Sequence, residues 1–122
     1  LEKQTAAENT NSVNVLGYTR SNDLRNLVTS SNEHIGLELK FRYDNSSANL
    51  LRRSDNWPFL LNGVPALFFH TGLHPDYHQP TDTPEKINYP KLEKVVRLVF
   101  LSSWYAANNQ KKPLLDTKAW NK

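Results

Sequence analysis

The sequence predicts one α/β domain, a layered sheet with helices on both faces, and three observations support this fold class. A chain of 122 residues with 38% hydrophobic side chains is enough for one modest core and too little for two. Short strand-like runs, which are either apolar throughout or alternate apolar and polar residues, are interspersed with segments whose apolar residues recur at helical spacing. The continuous apolar run VPALFF predicts a strand buried on both faces, and such a strand needs helices above and below it.

The first half of the chain predicts a strand, a helix and a second strand. Residues 1–12 are polar and predict a tail or linker, with order beginning near Val13. The run VNVLGY predicts a short strand, after which Ser21 can cap a helix that Gly36 would stop. The segment LELKFRY alternates apolar and charged residues, which predicts a strand with one wet face near an edge of the sheet.

The second half predicts a loop, a short helix, the buried strand and a long helix. Residues 44–53 predict the loop, and either Ser54 or Asp55 can cap the short helix. VPALFF and a polar loop follow, and Asn88 can then cap a long helix that runs to about Asn108.

Composition excludes several classes of function. The net charge is +3 and the basic residues are scattered, which is a weak basis for nucleic-acid binding, so we expect no nucleic-acid partner. The chain has no cysteine, which removes thiolate zinc sites and cysteine nucleophiles, so that any metal must be held by His and carboxylates. No apolar run approaches the roughly 18 residues of a membrane span, and we expect none.

The polar loop HTGLHPDYHQPTDTP, residues 70–84, carries three of the four histidines. It leaves the predicted buried strand and enters the long helix, and ligand sites of open α/β sheets gather outside the carboxyl ends of strands. His78 with Asp82 four residues on is typical of a zinc ligand and a supporting carboxylate, and Tyr77 adds a phenolic O–H able to stabilise an oxyanion. These residues leave two interpretations open, a metal and acid-base site or a polar loop that is rich in His.

A self-contained metal module made of His70, His74 and His78 is a further alternative. Their spacing of four would align them on a helix. Gly72 and the prolines of the loop argue against a helix, so we expect weak metal binding by such a module.

The segment that contains this loop resembles a known family of enzymes. The run from Arg53 to Phe100 looks like the C-terminal portion of the catalytic domain of M28 zinc-dependent exopeptidases, which are aminopeptidases of the zinc-peptidase, phosphorylase/hydrolase-like fold. The resemblance rests on a Ser-Asp pair ahead of an aromatic residue, the GVPALFF strand, the Gly-x-His-x-Asp-Tyr-His loop and the Asp-Thr-Pro that follows. It covers about residues 13–110, with 111–122 as a C-terminal tail.

The resemblance implies a role for each residue that matches the family pattern. His78 matches the last protein ligand of a two-zinc centre, and Tyr77 matches a tyrosine that hydrogen-bonds the substrate carbonyl and the tetrahedral intermediate. The implied reaction is hydrolysis of a peptide with a free N-terminus, in which zinc lowers the pKa of a bound water and a glutamate takes its proton.

Other residues of the pattern are implied to support the site. Asp55 matches an aspartate near the metal centre, although helix capping is the plainer interpretation. Asp76 and Asp82 are expected to support the metal site. Loop shaping is expected of three residues, His70, His74 and Gly72.

The chain departs from the family in what it lacks. Of the five expected metal ligands only His78 is matched, and no match to the expected general base is found ahead of Val13. We therefore expect the C-terminal half of an aminopeptidase domain that is inactive alone, binds zinc weakly or not at all, and needs the N-terminal half as its partner. An uncovered sheet edge and apolar face also predict self-association. The resemblance further implies a secreted or periplasmic protein.

Two alternatives on the same scaffold remain. One is a non-catalytic binding relative. The other is a glutaminyl cyclase-like zinc enzyme, although those enzymes carry Trp where this chain has Tyr77.

Overall fold

A computed structural model describes residues 10–116 of the chain. The predicted tails therefore lie largely outside the described residues, namely 1–9 at one end and 117–122 at the other. The elements are, in chain order, β1 (Ser12–Leu16), α1 (Asn22–Asn32), β2 (Glu38–Lys40), a 3-10 turn (Leu50–Arg52), α2 (Asn56–Leu61), β3 (Phe68–His70), a second 3-10 turn (Pro84–Lys86) and α3 (Tyr89–Asn108).

The three described strands form one mixed sheet in the order β2-β1-β3. β1 lies in the middle, parallel to β2 and antiparallel to β3, with Val13 opposite Leu39 and Asn14 opposite His70. All five residues of β1 are buried, because it has a strand on each side and helices above and below. The short edge strand predicted from LELKFRY is confirmed as β2, although only residues 38–40 pair with β1.

The strand predicted from VPALFF is shorter and less buried than expected. Only Phe68–His70 form β3, and Phe68 and Phe69 are half-buried at an edge of the described sheet. Their rings pack on opposite faces, Phe69 against one core cluster and Phe68 against the other. The apolar run therefore correctly indicated contact with the apolar clusters on both faces of the sheet. The prediction that it forms a fully buried strand was wrong, because β3 is half-buried. The fully buried strand is β1.

Two apolar clusters lie on opposite faces of β1. One cluster contains Val13 and Val15 packed against α1 and α3, through Val28 and Leu98. The other contains Leu16 and draws on the first 3-10 turn and α2, and its further buried members are Leu50, Leu51 and Leu60. Helices therefore cover both faces, and the predicted α/β layered fold is confirmed.

Local capping signals place the two longer helices. Ser21 Oγ accepts a hydrogen bond from the Leu24 N–H at 3.2 Å at the start of α1. Asn88 Oδ1 accepts from the Lys91 N–H at 3.2 Å at the start of α3, which ends at Asn108. Both predicted caps are confirmed, as is the predicted end of the long helix.

The regular part of α1 ends at Asn32, and a turn follows in which the Gly36 N–H donates to the Asn32 carbonyl at 2.8 Å. Gly36 has a φ of +77°, so it stops the helical segment as predicted. One local prediction differs from the structure. The segment 44–53 was predicted as a loop, yet it contains the first 3-10 turn, whose Leu50 and Leu51 are buried in the second cluster.

Candidate functional site

The His-rich loop connects β3 to α3, and its position in the sheet follows from the strand directions. β3 runs antiparallel to β1, so the carboxyl end of β3 lies beside the amino ends of β1 and β2. The loop thus follows the carboxyl end of its own strand, but it does not share an end of the sheet with the carboxyl ends of the other two. The predicted position of the loop, between the end of its strand and the long helix, is confirmed.

Tyr77 and His78 lie near the middle of this loop in the sequence and are both exposed. Their rings stack with centroids 4.0 Å apart and an interplanar angle of 15°. His78 has a φ of +58°, a left-handed conformation that is uncommon for residues other than glycine. Tyr43 and Asn49 share this conformation, so it marks a tight turn of the loop at His78 and does not by itself identify a ligand.

The rings of His70 and His74 also lie near Tyr77, with centroids 6.4 and 6.0 Å from the centroid of its ring. His70 is 9% exposed, and its Nδ1 accepts a hydrogen bond from the Gly72 N–H at 2.9 Å, which leaves the proton of the neutral ring on Nε2. Burial, with a smaller effect from neighbouring His74, lowers the pKa of His70. The His74 ring meets Tyr77 edge-on at 6.0 Å, so the loop histidines surround the phenol.

Asp76 is held by two partners that the sequence did not indicate. Its carboxylate accepts from Thr81 Oγ1 at 2.7 Å and pairs with Lys86 Nζ at 2.9 Å. The Thr81 hydrogen bond, followed by that of Lys86, lowers the pKa of the Asp76 carboxyl. Asp82 lies close to His74, with Oδ2 and Nε2 4.0 Å apart. No regular spacing links Asp76 to Lys86 ten residues later, so only the folded loop reveals this contact.

Asp55 precedes α2 on a different element from the loop. It occupies the N-cap position, but its backbone is helical and its side chain makes no capping hydrogen bond. The capping interpretation of Asp55 was therefore wrong, since a capping side chain must accept from a first-turn N–H. The metal-supporting role implied by the family pattern stays a prediction.

A cleft of about 400 Å³ separates the loop from the first turns of α3. His74 and Asp82 line it on the loop side, and Lys91, only 4% exposed, lines it on the helix side. Burial lowers the pKa of Lys91. A larger cleft of about 640 Å³ lies between α1 and the end of α3 and is lined by none of the predicted site residues.

The metal implied by the family pattern needs more ligands than this loop brings together. Within residues 10–116 no group of three or more His, Cys, Asp and Glu side chains is arranged to hold an ion. A catalytic zinc site typically takes three protein ligands and an open position. The described residues therefore do not form a zinc site by themselves, and His70, His74 and His78 do not make a self-contained metal module.

The described residues form a layered α/β protein in which a His-rich loop connects a strand to a long helix. The profile of peptidase family M28 matches residues 4–102, which is well over half of the chain. The chain therefore belongs to peptidase family M28, and the resemblance drawn from its motifs is confirmed. Separate searches of curated proteins and of solved structures found no match.

None of the helices in the described part of the chain is long and apolar enough to cross a membrane.

Proposed function

We propose that this chain is the C-terminal part of a zinc-dependent aminopeptidase that removes N-terminal residues from peptides. The observation that carries the proposal is the M28 match together with an exposed Tyr77 stacked on a left-handed His78 in the loop between β3 and α3. M28 enzymes are peptidases and are generally zinc-dependent. The 122 residues alone are expected to be inactive, since the described part holds no cluster of metal ligands.

Tyr77 supplies a hydrogen-bond donor to the reacting carbonyl. Its ring contacts the stacked His78 and the edge-on His74, and these two contacts restrict the positions that the phenol can take. A donor held in place before the reaction stabilises the developing oxyanion without reorganising. Tyr77 is 36% exposed, so a substrate can approach it from solvent.

His78 supplies one imidazole ligand to a metal site whose other ligands come from residues outside the described part. Its exposed ring and left-handed backbone hold the imidazole away from the sheet, at the surface of the loop. Zinc in such a site supplies a bound water of lowered pKa. Asp76 and Asp82 support the site indirectly. Asp76 contacts Thr81 and Asp82 contacts His74, and these contacts stabilise the conformation of the loop.

The partner implied by this proposal is the N-terminal half of the catalytic domain, and the substrate is a peptide with a free N-terminus. A secreted or periplasmic location is proposed from family membership. Two zinc ions are expected in the complete domain, and weak zinc binding or none in the 122 residues alone.

The test is aminopeptidase activity in a protein where the rest of an M28 catalytic domain precedes this chain. Zinc content and release of N-terminal amino acids are measured for wild type, Tyr77→Phe and His78→Ala. Removing an oxyanion donor lowers kcat by about 100-fold, so Tyr77→Phe is expected to lose that much activity while keeping its zinc. His78→Ala is expected to lose zinc and activity together.

Matched controls are Tyr105→Phe on α3 and His34→Ala after α1, two exposed residues far from the loop in sequence. Both are expected to keep wild-type activity and zinc content. A complete protein that neither binds zinc nor releases amino acids would overturn the proposal. That outcome would favour a non-catalytic binding relative. Formation of pyroglutamate would instead identify a glutaminyl cyclase-like enzyme.

A further inference from the structure

A second polar cleft lies at the end of the sheet opposite the His-rich loop. β1 and β2 are parallel, so their carboxyl ends share one end of the sheet, whereas β3 ends at the other. The loops that follow β1 and β2 meet at this shared end and enclose about 220 Å³. In open α/β sheets this is the position where ligands bind. The cleft is lined by Arg20, Asp44, Asn45, Ser46, Asn49, Leu51, Arg52 and Trp57.

Asp44 is the acidic residue of this lining, and both of its oxygens accept hydrogen bonds from the loop after β1. Oδ1 accepts from the Gly17 N–H at 2.8 Å, and Oδ2 accepts from the N–H and the hydroxyl of Thr19 at 3.0 and 2.6 Å. The carboxylate thus fixes one loop against the other. Asp44 thereby forms one wall of the cleft.

Arg20 and Arg52 bring two guanidinium groups to this small cleft. With Asp44 as the single acidic residue among its lining side chains, the lining carries a net charge of about +1. The Arg52 guanidinium lies 4.8 Å from the centroid of the Trp57 ring, a cation–π contact that restricts an otherwise flexible side chain. Guanidinium groups carry rigid, planar sets of donors that match the oxygens of phosphate and carboxylate.

Neutral donors complete the lining. Asn45 and Asn49 add side-chain amides, and Ser46 adds a hydroxyl that is buried and makes no hydrogen bond to any residue between 10 and 116. A buried hydroxyl without a partner is costly, and a ligand oxygen that reached it would remove this cost. These side chains can donate hydrogen bonds beside the guanidinium groups of the cleft.

We propose that this cleft binds an oxyanion, the phosphoryl or carboxylate group of a small ligand, at a site separate from the peptidase loop. The proposal does not depend on the peptidase activity, because the cleft is built from the loops after β1 and β2 and lies at the opposite end of the sheet from Tyr77 and His78. It assigns to Arg52 the charge that holds the anion, and to Ser46 a neutral donor.

The test is titration of the full chain with inorganic phosphate and, separately, with acetate, each at constant ionic strength set with sodium chloride. Binding is followed by chemical shift changes of the backbone amides. We expect saturable shifts at residues 44–52 that Arg52→Gln weakens by about tenfold, with Arg52→Lys in between because it keeps the charge and loses the planar donor set. The tighter of the two anions identifies phosphoryl or carboxylate as the natural group.

Arg53→Gln is the matched control, because Arg53 is exposed, adjacent to Arg52 and not part of the lining. It is expected to leave the affinity within about twofold of wild type. Equal losses from Arg52→Gln and Arg53→Gln would show diffuse charge attraction and overturn the proposal. So would the absence of saturable shifts at residues 44–52 of the wild-type chain with either anion, a result that does not depend on any variant being folded.

Discussion

His70 shows how one side chain links the sheet to the candidate site. It lies on β3, where it is opposite Asn14 of β1. The centroid of its ring is 5.4 Å from that of Phe68, in an edge-on contact, and 6.4 Å from that of Tyr77, in a tilted one. The Asn14 side chain also donates to the His70 carbonyl at 2.9 Å. His70, where the loop begins, is therefore bound to the central strand, and Tyr77 packs against its ring.

The lowered pKa of His70 predicts a pH dependence of stability. Burial favours the neutral ring in the folded chain, so as pH falls below the ordinary value of about 6.5 the unfolded chain takes up this proton first. Stability contributed by His70 is thus present above that pH and is lost progressively below it. His70→Gln, which keeps an acceptor and does not titrate, should lose less free energy of unfolding than wild type between about pH 7.5 and pH 5.5.

Urea unfolding at the two pH values measures this difference. His34→Gln is the control, because His34 is exposed and distant in sequence from the loop, and it should keep the wild-type dependence. Identical pH dependence in wild type and His70→Gln would contradict the assignment of a buried neutral imidazole to the folded state.

At the scale of elements, Gly17 ends β1 where the chain passes close to the segment before β3. Its φ is +91°, and a Cβ built on it would lie 2.3 Å from the carbonyl oxygen of Ala66. Gly17→Ala should therefore add a backbone clash to the usual left-handed strain of about 1–2 kcal/mol, for a total loss in the free energy of unfolding above about 2 kcal/mol. Chemical denaturation measures this loss.

Gly63 gives the matched comparison. Its φ is +78° and a Cβ there meets nothing within 4 Å, so Gly63→Ala should cost only the strain of about 1 kcal/mol. Equal losses in the two variants would mean that the approach of Ala66 to Gly17 does not constrain the fold.

The elements also show which features can be predicted from sequence. Ser21 and Asn88 were predicted as caps because a cap depends on residues within one turn of it. The place of VPALFF at a sheet edge could not be predicted, since pairing partners and strand direction depend on residues far along the chain. The candidate site likewise has residues that could be predicted from the sequence and contacts that could not. Tyr77 and His78 carry a motif, whereas the contact of Asp76 with Lys86 arises from the folded loop.

At the scale of the whole molecule, the two apolar clusters use only part of the apolar surface of α3. Leu98 and Val95 face the first cluster, whereas a stripe on another side of the helix stays in solvent. Its members recur every four residues, which places them along one ridge of the helix. The stripe consists of Leu92, Val96, Phe100 and Trp104, exposed by 45%, 58%, 65% and 56%. An exposed patch of this kind favours association with other apolar surfaces.

The stripe predicts that the isolated chain associates weakly with itself. Phe100 and Trp104 are 65% and 56% exposed. At roughly 150–250 Å² for each aromatic side chain, they offer on the order of 250 Å² per copy, which falls short of the area of a permanent dimer and suits a concentration-dependent one. Sedimentation velocity over a range of concentrations should show a rising average mass, and Phe100→Ser should weaken the association by at least about tenfold. Leu114→Ser is the control, because Leu114 is 59% exposed but lies beyond α3. A wild-type chain that stays monomeric at every concentration would show that this surface does not drive association.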